Sequence, residues 1–206
     1  MRPAAVIVIA YLLGSIPFGY LIVRTTQGAD IRETGSGATG ATNVSRRAGK
    51  LAGVLTLVLD ALKGAAAVLM ARWILQGNVG QPVNWWIAFA AILVIVGHMF
   101  PVWLGFSGGK GVATAIGVFL VLATMALALA GVLFLLIVWL TRYVSLGSIV
   151  AACAIPLLVL LENAFVQPVE PLVPIMFGAT AIAALIVFAH RQNIGRLIQG
   201  TESKFA

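Results

Sequence analysis

From Gly111 to Leu140 the chain runs for 30 residues without a charged side chain. A single helix of that length would rise about 45 Å, past a hydrocarbon core of about 30 Å. The run is therefore either one over-long helix or two short transmembrane helices. Other apolar runs surround it: Pro3 to Val23, Leu51 to about Ile74, Trp85 to Gly97 and on towards Trp103, Ser145 to Leu161, and Leu172 to Ala189. They are continuous, not alternating, which predicts helices and not a membrane barrel, since a helix satisfies its own backbone groups in lipid. Composition agrees. Apolar residues make up 61% of the 206 and charged residues 9%, against about 25% charged in soluble domains. A soluble enzyme, a disordered chain and a collagen-like repeat are excluded.

Charge placement decides between the two readings of the long run. If it turns near Ala123 to Met125 and holds two short spans, there are seven spans. The loops 24–50, 98–110 and 141–144 and the C-terminal tail then share one face. That face carries ten basic residues: Arg24, Arg32, Arg46, Arg47, Lys50, Lys110, Arg142, Arg191, Arg196 and Lys204. The other carries two, Arg2 and Arg72, and Lys63 lies in the membrane. A single span would split the charges six to six. Basic residues concentrate on cytoplasmic loops. The prediction is an all-α polytopic integral membrane protein of seven transmembrane helices, N-terminus out and C-terminus in, forming one domain over 1–206. The net charge of +7 is then the positive-inside bias, and no nucleic-acid partner is needed. The acidic stretch Glu162 to Glu170 faces outward. Arg2 and its apolar run read as the first span, not a cleaved leader. Cys153 reads as a small buried apolar residue.

The loops on the basic face are not plain linkers. The first holds Gly35-Ser36-Gly37-Ala38-Thr39-Gly40-Ala41-Thr42-Asn43. It matches G-x-G-x-x-G in form, but a dinucleotide site needs a preceding strand and a βαβ unit. What remains is its physical content. Gly35, Gly37 and Gly40 let backbone amides approach an anion, Ser36, Thr39, Thr42 and Asn43 add donors, and Arg46 and Arg47 add charge. The second, Gly97-His98 through Thr114, places Ser107-Gly108-Gly109-Lys110-Gly111 at a helix start. It is not a Walker A loop, yet amides and a cation together seat a phosphate. His98 reads as a structural histidine, and Trp103 and Phe106 as interface anchors. The third runs His190-Arg191-Gln192-Asn193-Ile194-Gly195-Arg196-Leu197. Asp60 and Lys63, at i and i+3 within a span, are either functional or mutually paired. Ser145 and Ser148 follow Arg142. The residues form no metal-ligand cluster and no pair of catalytic carboxylates. Donors of this kind suit phosphorylated molecules, with an apolar partner supplied by membrane lipid.

These segments resemble the bacterial acyl-phosphate-dependent glycerol-3-phosphate acyltransferase family (PlsY). The resemblance rests on Gly14-Ser15-Ile16-Pro17-Phe18-Gly19, the Gly35 to Asn43 loop, Leu59-Asp60 with Lys63-Gly64, Gly97-His98 through Thr114, Arg142-Tyr143-Val144-Ser145-Leu146, and His190-Arg191 with Asn193-Ile194 and Arg196-Leu197. It runs nearly end to end and in order. It implies a seven-helix enzyme of the bacterial inner membrane, its active site facing the cytoplasm. The reaction moves a fatty acyl group from acyl phosphate to the 1-hydroxyl of glycerol 3-phosphate, giving lysophosphatidic acid and phosphate, without a cofactor. The implied partners are the two substrates, membrane lipids and a soluble enzyme that makes acyl phosphate. By position the resemblance points to Ser36, Arg46, Lys110, His190 and Asn193 as catalytic. Gly35, Gly37, Gly40, Thr42, Asn43, Gly108, Gly109, Gly111, Ser145 and Ser148 would bind substrate. Two departures stand out: Ala38 where the family has Asn, and Ser107 where it often has Lys.

The mechanism this implies is mainly positional. Acyl phosphate is already activated, so the protein must hold two anions together and align a hydroxyl with the acyl carbonyl. Arg46 and Lys110 suit neutralisation. Either His190 or the departing phosphate can take the hydroxyl proton. A transporter for a phosphorylated solute is the competing class; the low polar content of the spans speaks against it.

Overall fold

The computed structural model describes residues 2–76 and 81–205, with 81–84 as backbone. Among the described residues there is no strand. Ten helices follow in order: α1 (Arg2–Ser15), α2 (Phe18–Gln27), α3 (Ala41–Ala48), α4 (Lys50–Ile74), α5 (Gln81–Met99), α6 (Val112–Leu122), α7 (Thr124–Thr141), α8 (Val144–Phe165), α9 (Leu172–Ala189) and α10 (Arg191–Ile198). Six helical stretches are long and apolar enough to cross a membrane: Arg2–Gln27, Lys50–Ile74, Trp85–Leu104, Thr124–Thr141, Val144–Phe165 and Leu172–Ala189. Val112–Leu122 is a shorter apolar helix. The chain forms two compact units, Met1–Val121 and Leu122–Ala206.

In the first unit α1 packs on α5 and α4, and α4 also packs on α5. Small residues set the spacing. Gly14 lies against the Val94 backbone and Gly97 against the Tyr11 carbonyl. Gly64 meets the Thr114 carbonyl and Gly117 the Ala61 carbonyl. Lipid tails are as apolar as leucine, so membrane helices associate through close packing, and a glycine lets two backbones approach. The first apolar run is not one helix. It breaks at Ile16 and Pro17, since proline offers no N–H to continue the ladder. Helix then resumes and runs past Val23, the expected end, to Gln27. There Gly28 closes it in a left-handed conformation, its N–H donating to the Arg24 carbonyl.

The second unit pairs α7 with α8 and α8 with α9. The 30-residue run does break in two, at Ala123 (φ −156°, ψ 80°), but unequally: α6 has 11 residues and α7 has 18. No side chain of the cap residue itself serves the start of α7. Glu162, near the far end of α8, does that work: its Oε2 accepts the Ala126 N–H at 2.8 Å, and its Oε1 accepts from Gln167 Nε2 at 3.0 Å. A buried anion at a helix N-terminus answers unpaired amides and the helix dipole together. Glu162, expected in an outward-facing loop, is instead inside the fold. Cys153 is a second correction: it is exposed on α8, on a face that a membrane helix can leave to lipid.

Candidate active site

In the first unit the two glycine-rich segments lie side by side. The Thr39 N–H donates to the Gly108 carbonyl at 3.3 Å. Arg32 makes a second tie: Nη1 donates to the Leu104 carbonyl at 2.9 Å, while Nη2 and Nε grip the Asp30 carboxylate at 2.7–3.1 Å. That hydrogen bonding holds the Asp30 carboxyl below its usual range. The two ties span 69 and 72 residues of sequence, and one backbone bond and one arginine fix the register of the segments.

The 35–43 loop wraps around Asn43. Its Oδ1 accepts the Ser36 N–H at 3.2 Å, and its Nδ2 donates to the carbonyls of Ile31 (3.2 Å), Thr34 (3.0 Å) and Ala38 (2.9 Å). This corrects an expectation. Asn43 was expected to offer its amide to a substrate; it is buried and spends that amide on the loop. Gly35 shows why the loop needs glycine: its φ is +57°, and a β-carbon there would overlap Asn43 Oδ1. Such a conformation is disfavoured for residues with a side chain. Gly37 at +70° and Gly111 at +83° share the left-handed region. Ala38 contributes its carbonyl. Ser36 and Gly40 are half-buried, Thr42 is exposed on the first turn of α3, and Arg46 is exposed further along it.

The second segment zips back on the end of α5. The Gly108 N–H donates to the Met99 carbonyl at 3.1 Å and the Gly109 N–H to the His98 carbonyl at 3.0 Å. Gly109 lies flat against the His98 ring, where a β-carbon would overlap Nε2. Lys110 follows, partly exposed, just before α6.

In the second unit the remaining candidates gather near the end of α9. His190 caps α9 and opens α10. Its Nδ1 lies 2.8 Å from the Ile186 carbonyl. A carbonyl only accepts, so Nδ1 carries the proton and Nε2 is the basic nitrogen of the neutral ring. Ser148 donates to the Val144 carbonyl of its own helix at 2.9 Å. Ser145 and Asn193 converge on a residue that sequence reasoning missed. Glu202 accepts from Ser145 Oγ at 2.7 Å and Asn193 Nδ2 at 2.6 Å, both on Oε1, and from Arg196 Nε at 2.7 Å on Oε2. Burial works to raise the Glu202 pKa, but these three donors outweigh it and hold the carboxyl below its usual range. The signal was a lone acid in a basic tail directly after a polar helix. Among the described residues no group of three or more His, Cys, Asp or Glu could hold a metal ion.

Comparison with known proteins follows the same segments. A family model described as glycerol-3-phosphate acyltransferase matches residues 4–200. A glycerol-3-phosphate acyltransferase of Syntrophotalea carbinolica is 48% identical over 197 residues, covering 95% of this chain and 94% of that protein. One from Geobacter sulfurreducens is 47% identical over 198 residues, covering 96% and 94%. Among solved structures, the glycerol 3-phosphate form of PlsY (YgiH), an integral membrane glycerol 3-phosphate acyltransferase, aligns with a TM-score of 0.87 at 40% identity, covering all of this chain and 96% of that one. Its lysophosphatidic acid form aligns at 0.84 and 39% identity, with the same coverage.

Proposed function

Since the chain belongs to the glycerol-3-phosphate acyltransferase family, we infer that it is a membrane acyltransferase that esterifies the 1-hydroxyl of glycerol 3-phosphate with a fatty acyl group from acyl phosphate. The products are lysophosphatidic acid and phosphate. The observation that carries the reading is the pair of glycine-rich segments, joined at Thr39 and Gly108, in a chain whose structural relatives are forms with glycerol 3-phosphate and with lysophosphatidic acid.

The roles follow from the chemistry. Lys110 and Arg46 answer the charge of the phosphate groups, and Ser36 adds a hydroxyl donor. Gly35, Gly37, Gly40, Gly108, Gly109 and Gly111 supply close backbone approach, with Thr42 as a polar neighbour; Ser145 and Ser148 are the second unit's candidate substrate-binding serines. Asn43 shapes the loop. The hydroxyl oxygen attacks the acyl carbon, the bond from that carbon to the phosphate oxygen breaks, and phosphate leaves with the electron pair. The proton passes to the leaving phosphate or to His190 Nε2. Asn193 holds the polar end of α10 in place. In this reading the protein is one domain of seven spans in a bacterial inner membrane, N-terminus out and C-terminus in. The short α6 is the added span, and the basic loops with their site face the cytoplasm, where a soluble enzyme delivers acyl phosphate.

The test is a donor comparison with the purified protein in detergent. Acyl phosphate should support lysophosphatidic acid formation from glycerol 3-phosphate, while acyl-CoA and acyl carrier protein should not. Turnover with acyl-CoA alone would refute the donor assignment.

A further inference from the structure

One buried charge cluster has no part in the chemistry above. Lys63 Nζ lies 2.8 Å from Asp60 Oδ1 and donates to the Ile16 carbonyl at 2.8 Å. Its ammonium also sits 5.7 Å from the centroid of the Phe18 ring. On the other side, His98 Nδ1 lies 3.5 Å from the same Asp60 Oδ1. The three side chains are at most 4% exposed. A buried ion pair adds little net stability over apolar residues of the same volume, so its worth lies in the geometry it specifies.

That geometry has one outlet. The His98 ring lies beside Asp60, Nδ1 at 3.5 Å from its Oδ1, while its Nε2 edge forms the wall against which Gly109 packs. The His98 carbonyl and the next one, of Met99, receive the Gly109 and Gly108 amides. The Gly108 carbonyl in turn receives Thr39 of the first loop. The chain of contact therefore runs from a charged group inside α4 to both glycine loops. Lys63 fastens the other end, because Ile16 is the residue at the Pro17 break.

We propose that Asp60, Lys63 and His98 act as one positioning element that sets the backbone of Gly108 and Gly109 and so aims Lys110 at a substrate phosphate. The proposal rests on the acyltransferase reading for its kinetic consequence, but not for its structural one. None of the three touches substrate. Their effect is on the shape of the loop, so it falls on binding of a phosphorylated substrate more than on the chemical step.

The experiment uses full-length protein in detergent, with two variants at His98 and one at the ion pair. His98→Phe keeps a ring but loses the polar nitrogen that faces Asp60; His98→Gln keeps a side-chain donor there. Asp60→Asn/Lys63→Met removes both charges together. Hydrogen exchange over 107–111 should speed up about tenfold or more in His98→Phe and in the double variant, with the 124–141 helix unaltered, as expected for local opening. KM for one phosphorylated substrate should rise about tenfold or more with kcat changed far less, since misplacement by about 1 Å is enough for such losses. His98→Gln should stay near wild type in both measurements. Unaltered exchange over 107–111 in His98→Phe overturns the proposal, as does a loss of thermal stability with KM and kcat both intact. If the double variant does not fold, the two His98 variants decide. If wild type itself shows no turnover, the acyltransferase reading fails while the exchange measurement still judges the positioning element.

Discussion

Glu202→Ala should release the C-terminal tail, and the size of the effect can be worked from its contacts. Glu202 keeps two bonds in a largely buried setting, from Ser145 and Asn193, at 2.7 and 2.6 Å. Hydrogen bonds to a charged group contribute about 1.5–3 kcal/mol each, so the low end for two gives about 3 kcal/mol. The Arg196 side chain is 37% exposed, and solvent screening reduces its share to at most about 1 kcal/mol. A loss of about 3 kcal/mol shifts the docked-to-released ratio roughly a hundredfold. The tail's other ties are Thr201 N–H to the Arg196 carbonyl at 2.8 Å, Phe205 N–H to the Arg142 carbonyl at 2.7 Å, and the Lys204 ammonium 5.8 Å from the centroid of the Tyr143 ring. Hydrogen exchange over 199–205 and protease cleavage of the tail should therefore rise by one to two orders of magnitude. Glu202→Gln should be milder, because its amide oxygen can still accept from Ser145 and Asn193 while its nitrogen faces the Arg196 donor. The carboxyl pKa is lowered in the fold, so docking is fully present above the unfolded value of about 4.3. It is lost as pH falls through the lower value of the docked group. Tail exchange that is the same in wild type and Glu202→Ala at neutral pH would refute the reasoning.

Lys110→Ala should cut activity at least about tenfold with the protein still folded, the worth of a charge-assisted contact to phosphate; unchanged kinetics for both substrates would reduce the glycine segment to a helix start. His190→Gln can still donate to the Ile186 carbonyl. If phosphate takes the proton it should keep much of the rate, whereas loss of about 10²–10⁴-fold would identify the imidazole as general base. Glu162→Ala should lower the melting temperature while sparing kcat, because it strips a carboxylate from the start of α7; unchanged melting would deny it that role. In a Cys153→Ser background, a cysteine near Val166 should be labelled from outside and one near Gly200 should not. Labelling of both from one side would defeat the seven-span reading.

The apolar pattern made the spans legible because a membrane helix is written as composition over about 20 residues. Leu172–Ala189 was read at its observed bounds, and the break at Ala123 was read from charge balance. What composition cannot report is which carbonyl or carboxylate a polar group meets. Pro17 marks a helix break in the sequence, yet that break matters through Lys63, which lies 47 residues beyond the Ile16 carbonyl it meets. Asn43 and a substrate-facing asparagine look alike in sequence; only the three carbonyls around Nδ2 separate them. Glu162 reads as an outward-facing acid because its Ala126 donor lies 36 residues away, and Glu202 stands out in no local pattern because its Ser145 donor lies 57 residues away. The glycine loops were recognised as segments, but their register depends on Arg32 and Thr39, which no local pattern marks.

The 11 residues of α6 rise only about 16 Å, little more than half of a bilayer's hydrocarbon thickness. If, as proposed, it is the seventh span, one of its ends sits at depth. At one end is Gly111 with its glycine-rich run, and at the other the backbone break at Ala123, so polar groups reach into the acyl-chain region whichever end it is. Mismatch of this kind is relieved by thinning the surrounding lipid or by snorkelling of flanking side chains, at a modest cost for each ångström. Lipid chain length thereby acts on this protein as a mechanical variable: a thicker membrane strains the region that begins with the glycine-rich segment, and a thinner one relaxes it.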